Sequence, residues 1–406
     1  MKKEGLMPGL TEKPKIKDFL LICIAVFLLR TVIQMQSSTF ALYLTGILGY
    51  SKTTVGLLAS IASFAAIFMR PVTGILIDSN KSKTAQILGA SLFIIGVTLS
   101  SFCTPLFLLF IFRFCFGAGQ ALFVTSASAA AAEVFPEDRM KEGLGYFGLT
   151  SSLSQAIGAV FALSLVLAIG FRGQFLIAIG IAAISLIPVI FVQIPVHTHR
   201  INVQEPDVKK DYSKWYDRIF EKSAVLLALI MFLTESGMST TSTFLPIRAA
   251  ELGIVNIGVF YTVKAISITA TRTFGAKLTQ GKIEKPMVIV SQSIIVLSLI
   301  LIFFSTKLWH YIVIAVFYGF ANGNIYISMH TLIVMNAPYE RRGMAHSTYY
   351  LSNDLASSIS LAIWGIICDL LGTRSIYILG SLFPFIAAVI FTLNYLLPRK
   401  EVVPSS

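Results

Sequence analysis

The chain has 406 residues, of which 55% are hydrophobic and 13% charged, with a mean hydropathy of +0.79. So little polar material cannot cover a soluble globule of this size, and the composition points to a polytopic membrane protein. The formal net charge of +12 raises nucleic acid as a partner, but the location of the basic residues accounts for it differently. The N-terminal lead is basic and polar, and the apolar run after it is too long for a signal-peptide core and has no small-residue cleavage site. It is read as a retained membrane helix. Taken in order, runs near 20 residues fall at 19–44, 53–77, 84–103, 105–131, 143–168 and 174–194, then at 223–247, 254–276, 287–306, 309–334, 345–370 and 376–397. Each is long enough to cross a hydrocarbon core of ~30 Å as a helix. They are too long and too uniformly apolar for barrel strands.

The expected fold is therefore an all-α membrane protein with twelve transmembrane helices in two six-helix bundles. Residues 1–194 form the N-terminal half and residues 223–406 the C-terminal half. Residues 195–222 are a polar linker, in which Trp215, Tyr216, Ile219 and Phe220 are spaced for a short amphipathic helix on the membrane surface. Of the 32 Lys and Arg, 22 lie on the side shared by both termini and the linker, and five on the other side (Lys52, Arg172, Arg248, Lys307, Arg374). By the positive-inside rule this places the termini and linker in the cytoplasm, for a multi-pass protein of the inner (plasma) membrane. No basic patch is left to require a nucleic acid. The four cysteines lie in apolar runs without metal-ligand spacing.

The halves resemble each other. At an offset of about 202, the segment from Pro136 aligns with that from Pro338, and Arg70 falls opposite Arg272; at 204, Gly49 meets Gly253. Parallel repeats of this kind put a binding site at the repeat interface, near the bilayer midplane.

Charge inside a membrane helix costs ~2.5–3.5 kcal/mol even on lenient scales, so it marks function. Spans three, six, nine and twelve have no charge in their apolar cores and are expected to face lipid. Spans one, four, seven, eight and eleven carry Arg30, Arg113, Glu235, Lys264 with Arg272, and Asp354, and span ten has Asn322, Asn324 and His330. Helical spacing aligns Arg30, Gln34 and Ser37; Glu235, Ser239 and Ser242; and Tyr318, Asn322, Tyr326 and His330 on three faces, with Arg113 and Gln120 on span four. Arg30, Gln34, Arg113, Gln120, Glu235, Ser239, Asn322, Tyr326 and Asp354 are the candidate substrate or proton-coupling residues. For Arg30 and Glu235 the alternative is an ion pair across the halves. For Asp354 it is a polar helix–helix contact. A carboxylate that alternates between dry and wet surroundings changes its proton affinity, which is what proton coupling requires.

The whole chain resembles the major facilitator superfamily, particularly its twelve-helix drug and metabolite:proton antiporter-like branch. The loop after span two, RPVTGILIDSNKSK, is similar to that family's signature, with Gly74, Asp78 and Lys83 in place; Ser79 and Lys81 depart from it. The resemblance implies a conformational latch there, and Arg139 belongs to the same group. RFCFGAGQA in span four resembles a second motif, which implies that Arg113 modulates coupling. The Gly-Pro and Gly-Gly pairs of the antiporter motif in span five are reduced to Gly158.

The expected function is a proton-coupled secondary transporter that exports a small amphipathic compound, drug-like or a secreted metabolite, by alternating access. It acts as a monomer in contact with lipid, with protons and a small molecule as partners and no cofactor or metal. The alternatives are an uptake symporter for a sugar, amino acid or organic anion and, remotely, a transport-like sensor. There is no Walker A sequence, metal-binding helix motif or nucleophile elbow, so an enzyme is not expected.

Overall fold

A hydrocarbon solvent offers the backbone no partners, so each span must satisfy its own N–H and C=O groups as a helix. The computed structural model describes residues 16–134, 140–194, 222–278, 284–338 and 342–395, and among them there is no strand. The first half contains α1 (Ile16–Gly46), α2 (Lys52–Asp78), α3 (Ser82–Phe102), α4 (Leu106–Glu133), α5 (Met140–Ile184) and α6 (Leu186–Phe191). The second contains α7 (Val225–Thr243), α8 (Leu245–Glu251), α9 (Gly258–Leu278), α10 (Glu284–Phe304), α11 (Leu308–Asn336), α12 (Arg342–Leu371) and α13 (Ser375–Tyr395). Among the described residues nine helices are long and apolar enough to cross a membrane. One of these, Tyr146–Phe191, is broken at Gly170 (φ 72°) into the fifth and sixth spans. With α1 and α9 the count is twelve, as the run lengths predict. The linker, apart from Lys222, and Arg139 lie outside the described residues.

The repeat is visible in the backbone. Gly49 and Gly253 are both left-handed at φ +67°, and Gly170 and Gly372 at +72° and +84°; each pair closes equivalent turns of the two halves, where only a residue without Cβ is unstrained. A Cβ on Gly117 of α4 would stand 2.0 Å from the carbonyl oxygen of Ala62 in α2, and one on Gly319 of α11 would stand 2.4 Å from that of Lys264 in α9. The same helix pair therefore approaches equally closely in each half.

Large apolar side chains point outward, among them Phe107 at 74% exposure and Leu370 at 75%. On a soluble protein that surface would aggregate; here it is the lipid face. Helices α3, α10 and α13, three of the charge-free spans, pack chiefly within their own halves, whereas α2 packs on α12, α5 on α9, and α1 on α7 and α8. These last contacts join the halves, mainly on the face away from the termini, called the far face below. There one continuous apolar core takes in Phe40, Leu44, Val55, Leu58 and Phe175 of the first half with Phe244, Phe260 and Trp364 of the second. A separate core (Ile22, Val26, Leu29, Phe93, Phe123) belongs to the first half alone.

Candidate functional site

Arg30 lies 14 residues into α1 and Glu235 ten into α7, or about 21 and 15 Å of rise from the terminal face. Both are near mid-membrane, yet they do not pair with each other. Arg30 Nη1 donates to Ser151 Oγ of α5 at 2.8 Å, and its buried Nε has no partner. The half-buried Glu235 carboxylate accepts from Tyr326 Oη of α11, with Ser357 and the Lys264 ammonium also within its reach. Lys264 Nζ in turn lies 5.4 Å above the ring of Tyr318. The ion-pair alternative for Arg30 and Glu235 is thus replaced by separate partners for each.

Asp354 is in an ion pair across the halves. Both of its oxygens accept from Arg70 of α2, Nη2 at 3.1 Å and Nε. Arg70 also lies 5.1 Å from the centre of the Tyr350 ring. The sequence marks Arg70 only as the repeat mate of Arg272 and gives no sign of this pairing. On the other side of the repeat, Arg272 Nη1 reaches Ser152 Oγ of α5 at 3.3 Å.

Other candidates sit elsewhere. Ser239 is buried, with its hydroxyl 2.8 Å from Ser360 Oγ between α7 and α12. Asn322 is buried on α11; its neighbour Asn324 is turned to Ser291 of α10 at 2.7 Å, within the second half. Gln34 lies against Gly158, whose added Cβ would meet Gln34 Cβ at 2.7 Å. Gly158, the one residue of the span-five motif present here, thus sits where a Cβ would collide with α1. Gln120 is half-buried on α4. Arg113 is buried, with its guanidinium 4.5 Å from the ring centres of both Phe40 and Phe116 and its Nε and Nη1 unpartnered. Cation–π contact is what an apolar surrounding can offer such a charge.

Of the latch group, Lys83 Nζ donates to the carbonyls of Ile190 and Val192 at 2.7 and 3.0 Å, tying α3 to the end of α6. Gly74 has open space where a Cβ would stand. Asp78 ends α2, and its side chain is outside the described part, as is Arg139.

The far face holds contacts that the sequence does not signal. A Cβ on Gly56 of α2 would stand 2.2 Å from Leu361 O of α12, and one on Gly365 would stand 2.6 Å from Lys52 O. Asp369 of α12 caps α2 of the other half, accepting from Lys52 N at 3.0 Å and Thr53 N at 2.7 Å, so a carboxylate meets the positive end of a helix dipole. Lys52 Nζ bridges to Glu251 of α8, which Thr373 also reaches at 2.7 Å. Burial pushes the Glu251 carboxyl up, but Lys52, Thr373 and Arg248 outweigh it and hold the group below its ordinary range.

Two repeat-related helical halves joined on one face, with a charged contact across them (Arg70 and Asp354) and a second charge cluster around Glu235 in the second half, have the architecture of a membrane transport protein. The Major Facilitator Superfamily profile matches residues 22–285 and 227–406, and the chain belongs to that family. It is a transporter of small molecules, not an enzyme. It is 24% identical over 367 residues to a staphylopine export protein of Staphylococcus aureus (strain Mu50 / ATCC 700699), covering 87% of this chain and 90% of that one. It is 26% identical over 166 residues to the multidrug resistance protein MdtG of Proteus mirabilis (strain HI4320), over 39% and 41% of the two chains. Among solved structures, the nucleoside transporter NupG superposes with a TM-score of 0.73 at 14% identity, over 94% of this chain and all of that one. A POT family transporter in complex with 5-aminolevulinic acid gives 0.75 at 17%, over 92% and 94%. At such identities the structures share the fold alone.

Proposed function

We propose that the chain is a proton-coupled exporter that moves a small molecule by alternating access, with the two halves rocking about the midplane clusters. The carrying observation is Glu235: a half-buried carboxylate near mid-membrane, held by the Tyr326 hydroxyl with Lys264 in reach, and outside the ion pairs of the described residues. A carboxylate so placed is free to take and release a proton as water enters and leaves. Asp354, fixed by Arg70, is then the cross-half contact that must re-form in each cycle, and Arg113, Gln34, Gln120 and Asn322 shape the walls. Gly74, Asp78, Lys83 and Arg139 belong to a terminal-face latch that engages in the opposite state.

The basic-residue bias puts the termini in the cytoplasm of a plasma membrane. In that orientation the far face is extracellular and the described conformation is sealed outward. Export is favoured over uptake by the two relatives named for export and drug resistance. A drug-like amphiphile or a secreted metabolite such as a metal chelator fits those relatives, and the protein works as a monomer. Everted vesicles from an overexpressing strain, offered a panel of secreted chelators and toxic amphiphiles, should accumulate one of them on energisation and lose it when a protonophore is added. Accumulation only in right-side-out vesicles, or accumulation indifferent to the proton gradient, would contradict the proposal.

A further inference from the structure

The repeat makes a missing charge visible. An offset of 202 carries Arg70 onto Arg272 and Ser152 onto Asp354. The two cross-half contacts are therefore the same contact in two copies: α2 meets α12 through Arg70 and Asp354, and α9 meets α5 through Arg272 and Ser152. In the first copy a carboxylate neutralises the guanidinium. In the second a serine hydroxyl stands where that carboxylate should be, 3.3 Å from Nη1, and the buried Nε of Arg272 has no partner.

Next to it lies a second guanidinium in the same condition. Arg30 and Arg272 are within electrostatic reach of each other, with Tyr350 close to both. Arg30 has a serine of the same helix, Ser151, as its hydrogen-bond partner and likewise an orphaned, buried Nε. Between the halves, four cations (Arg30, Arg70, Lys264, Arg272) face two carboxylates, Asp354 bound to Arg70 and Glu235 beside Lys264 and Tyr326. Of these six groups two positive charges remain uncompensated, those of Arg30 and Arg272, each with an unpartnered buried Nε; Arg113, the other buried guanidinium without a carboxylate, sits within the first half against Phe40 and Phe116. A desolvated charge without a counter-charge is costly, and two like charges side by side are costlier. Guanidinium forks bind planar or tetrahedral oxyanions through paired N–H groups better than any other side chain.

We propose that Arg30 and Arg272 form an oxyanion subsite that takes a carboxylate or phosphate group of the transported molecule, the serine of the broken repeat pair leaving the counter-charge to the ligand. This rests on the reading of the midplane as the transport site, and it makes the substrate an organic anion, or a zwitterion led by its anionic end. Asp354 shows what the ligand group replaces.

The test uses the full chain in nanodiscs and four probes: N-benzoylglutamate, phenyl phosphate, N-benzoylglutamate dimethyl ester and benzyltrimethylammonium. One or both anions should raise the unfolding temperature in a saturable manner, and the ester and the cation should not; which anion binds assigns carboxylate or phosphate. Arg30→Gln and Arg272→Gln should each weaken anion binding about tenfold or more, and Arg272→Lys should fall between. Ser152→Asp supplies the missing carboxylate. It should keep the fold, with an unfolding temperature at or above that of the parent, and abolish anion binding. Should the Gln variants fail to fold, wild-type selectivity and Ser152→Asp still decide. The inference is overturned if neither anion binds, if the ester or cation binds as tightly, or if Ser152→Asp leaves anion binding intact. Energised everted vesicles that pump only neutral or cationic compounds would sink this inference and leave the exporter standing. Anion binding without any energised transport would sink the exporter instead.

Discussion

The two ends of α2 make opposite contacts with the same partner, α12. At the far end, Gly56 and Gly365 bring the backbones together, Asp369 caps the helix start, and Lys52 reaches Glu251. Toward the terminal end, Gly74 faces open space and the link reduces to Arg70 and Asp354 with Tyr350 alongside. The first end is a close fit of backbone on backbone, in which the chain supplies the partners for its own polar groups. The second is a single charged bridge beside guanidiniums that the chain leaves short of partners. On the proposed rocking of the two halves, the first end would seal and the second exchange partners.

The largest effect is expected at the seal. Gly56→Leu puts a side chain into the Leu361 carbonyl, and backbone cannot yield as a flexible side chain does; overpacking of this kind costs about 1–3 kcal/mol or more. It should abolish substrate transport and expose a cysteine introduced at Leu58 to impermeant maleimide from the far face. Gly74→Ala should leave the unfolding temperature unchanged in the described conformation, since nothing stands within 4 Å of the added carbon.

Next in size is the bridge. Asp354→Asn leaves Arg70 without its counter-charge between the halves, and transport should fall about tenfold or more, the effect expected when one partner of a half-buried pair is removed. The double exchange, Arg70→Asp with Asp354→Arg, should restore part of the rate, because the pair and not either residue is what the contact needs. A double variant no better than the single one would show that Asp354 acts through something other than Arg70.

The smallest effect belongs to Lys52 and Glu251, a partly exposed pair of the kind worth about 0.2–1 kcal/mol. Glu251→Gln should raise far-face labelling of the cysteine at Leu58 only a few-fold. Because the Glu251 carboxyl is held below its ordinary value of 4.5, its contribution is complete above that value and is lost as pH falls through the lowered one. Far-face labelling, divided at each pH by the rate for the same cysteine in unfolded protein to remove the thiolate's own pH dependence, should therefore be flat from neutral pH down to about 5 and rise only in stronger acid.

Run length and charge make much of this legible in the sequence. Twelve apolar runs and a half-chain repeat are enough for the fold, because lipid permits few alternatives. Charge in apolar helices singles out Arg30, Arg113, Glu235 and Asp354 for the same reason. Partners are harder to read. Spacing places residues on a face but does not say which face of another half it meets, so Arg70 stands out only as a repeat mate, and Arg30 and Glu235 look like possible partners of each other. Ser239 lies on the stripe with Glu235, yet its hydroxyl meets Ser360 between α7 and α12. Gly56, Gly365 and Asp369 carry no periodic signal, since a small residue in an apolar run and an acid at a span end look ordinary until the partner helix is seen. The alignment of Ser152 with Asp354 is present in the 202-residue offset, and its meaning depends on knowing that Arg70 and Arg272 each touch one of them.

If Glu235 handles the proton at the midplane while the far seal only changes conformation, two assays of Glu235→Gln in proteoliposomes should part company. Exchange of substrate across the membrane without a gradient needs the rocking motion but no net proton movement, and uphill transport driven by an imposed pH gradient needs both. The variant should keep exchange within about threefold of the parent, less than the tenfold that 1.4 kcal/mol brings, and lose uphill transport altogether. Uphill transport that survives in Glu235→Gln, or exchange that is lost along with it, would contradict the assignment.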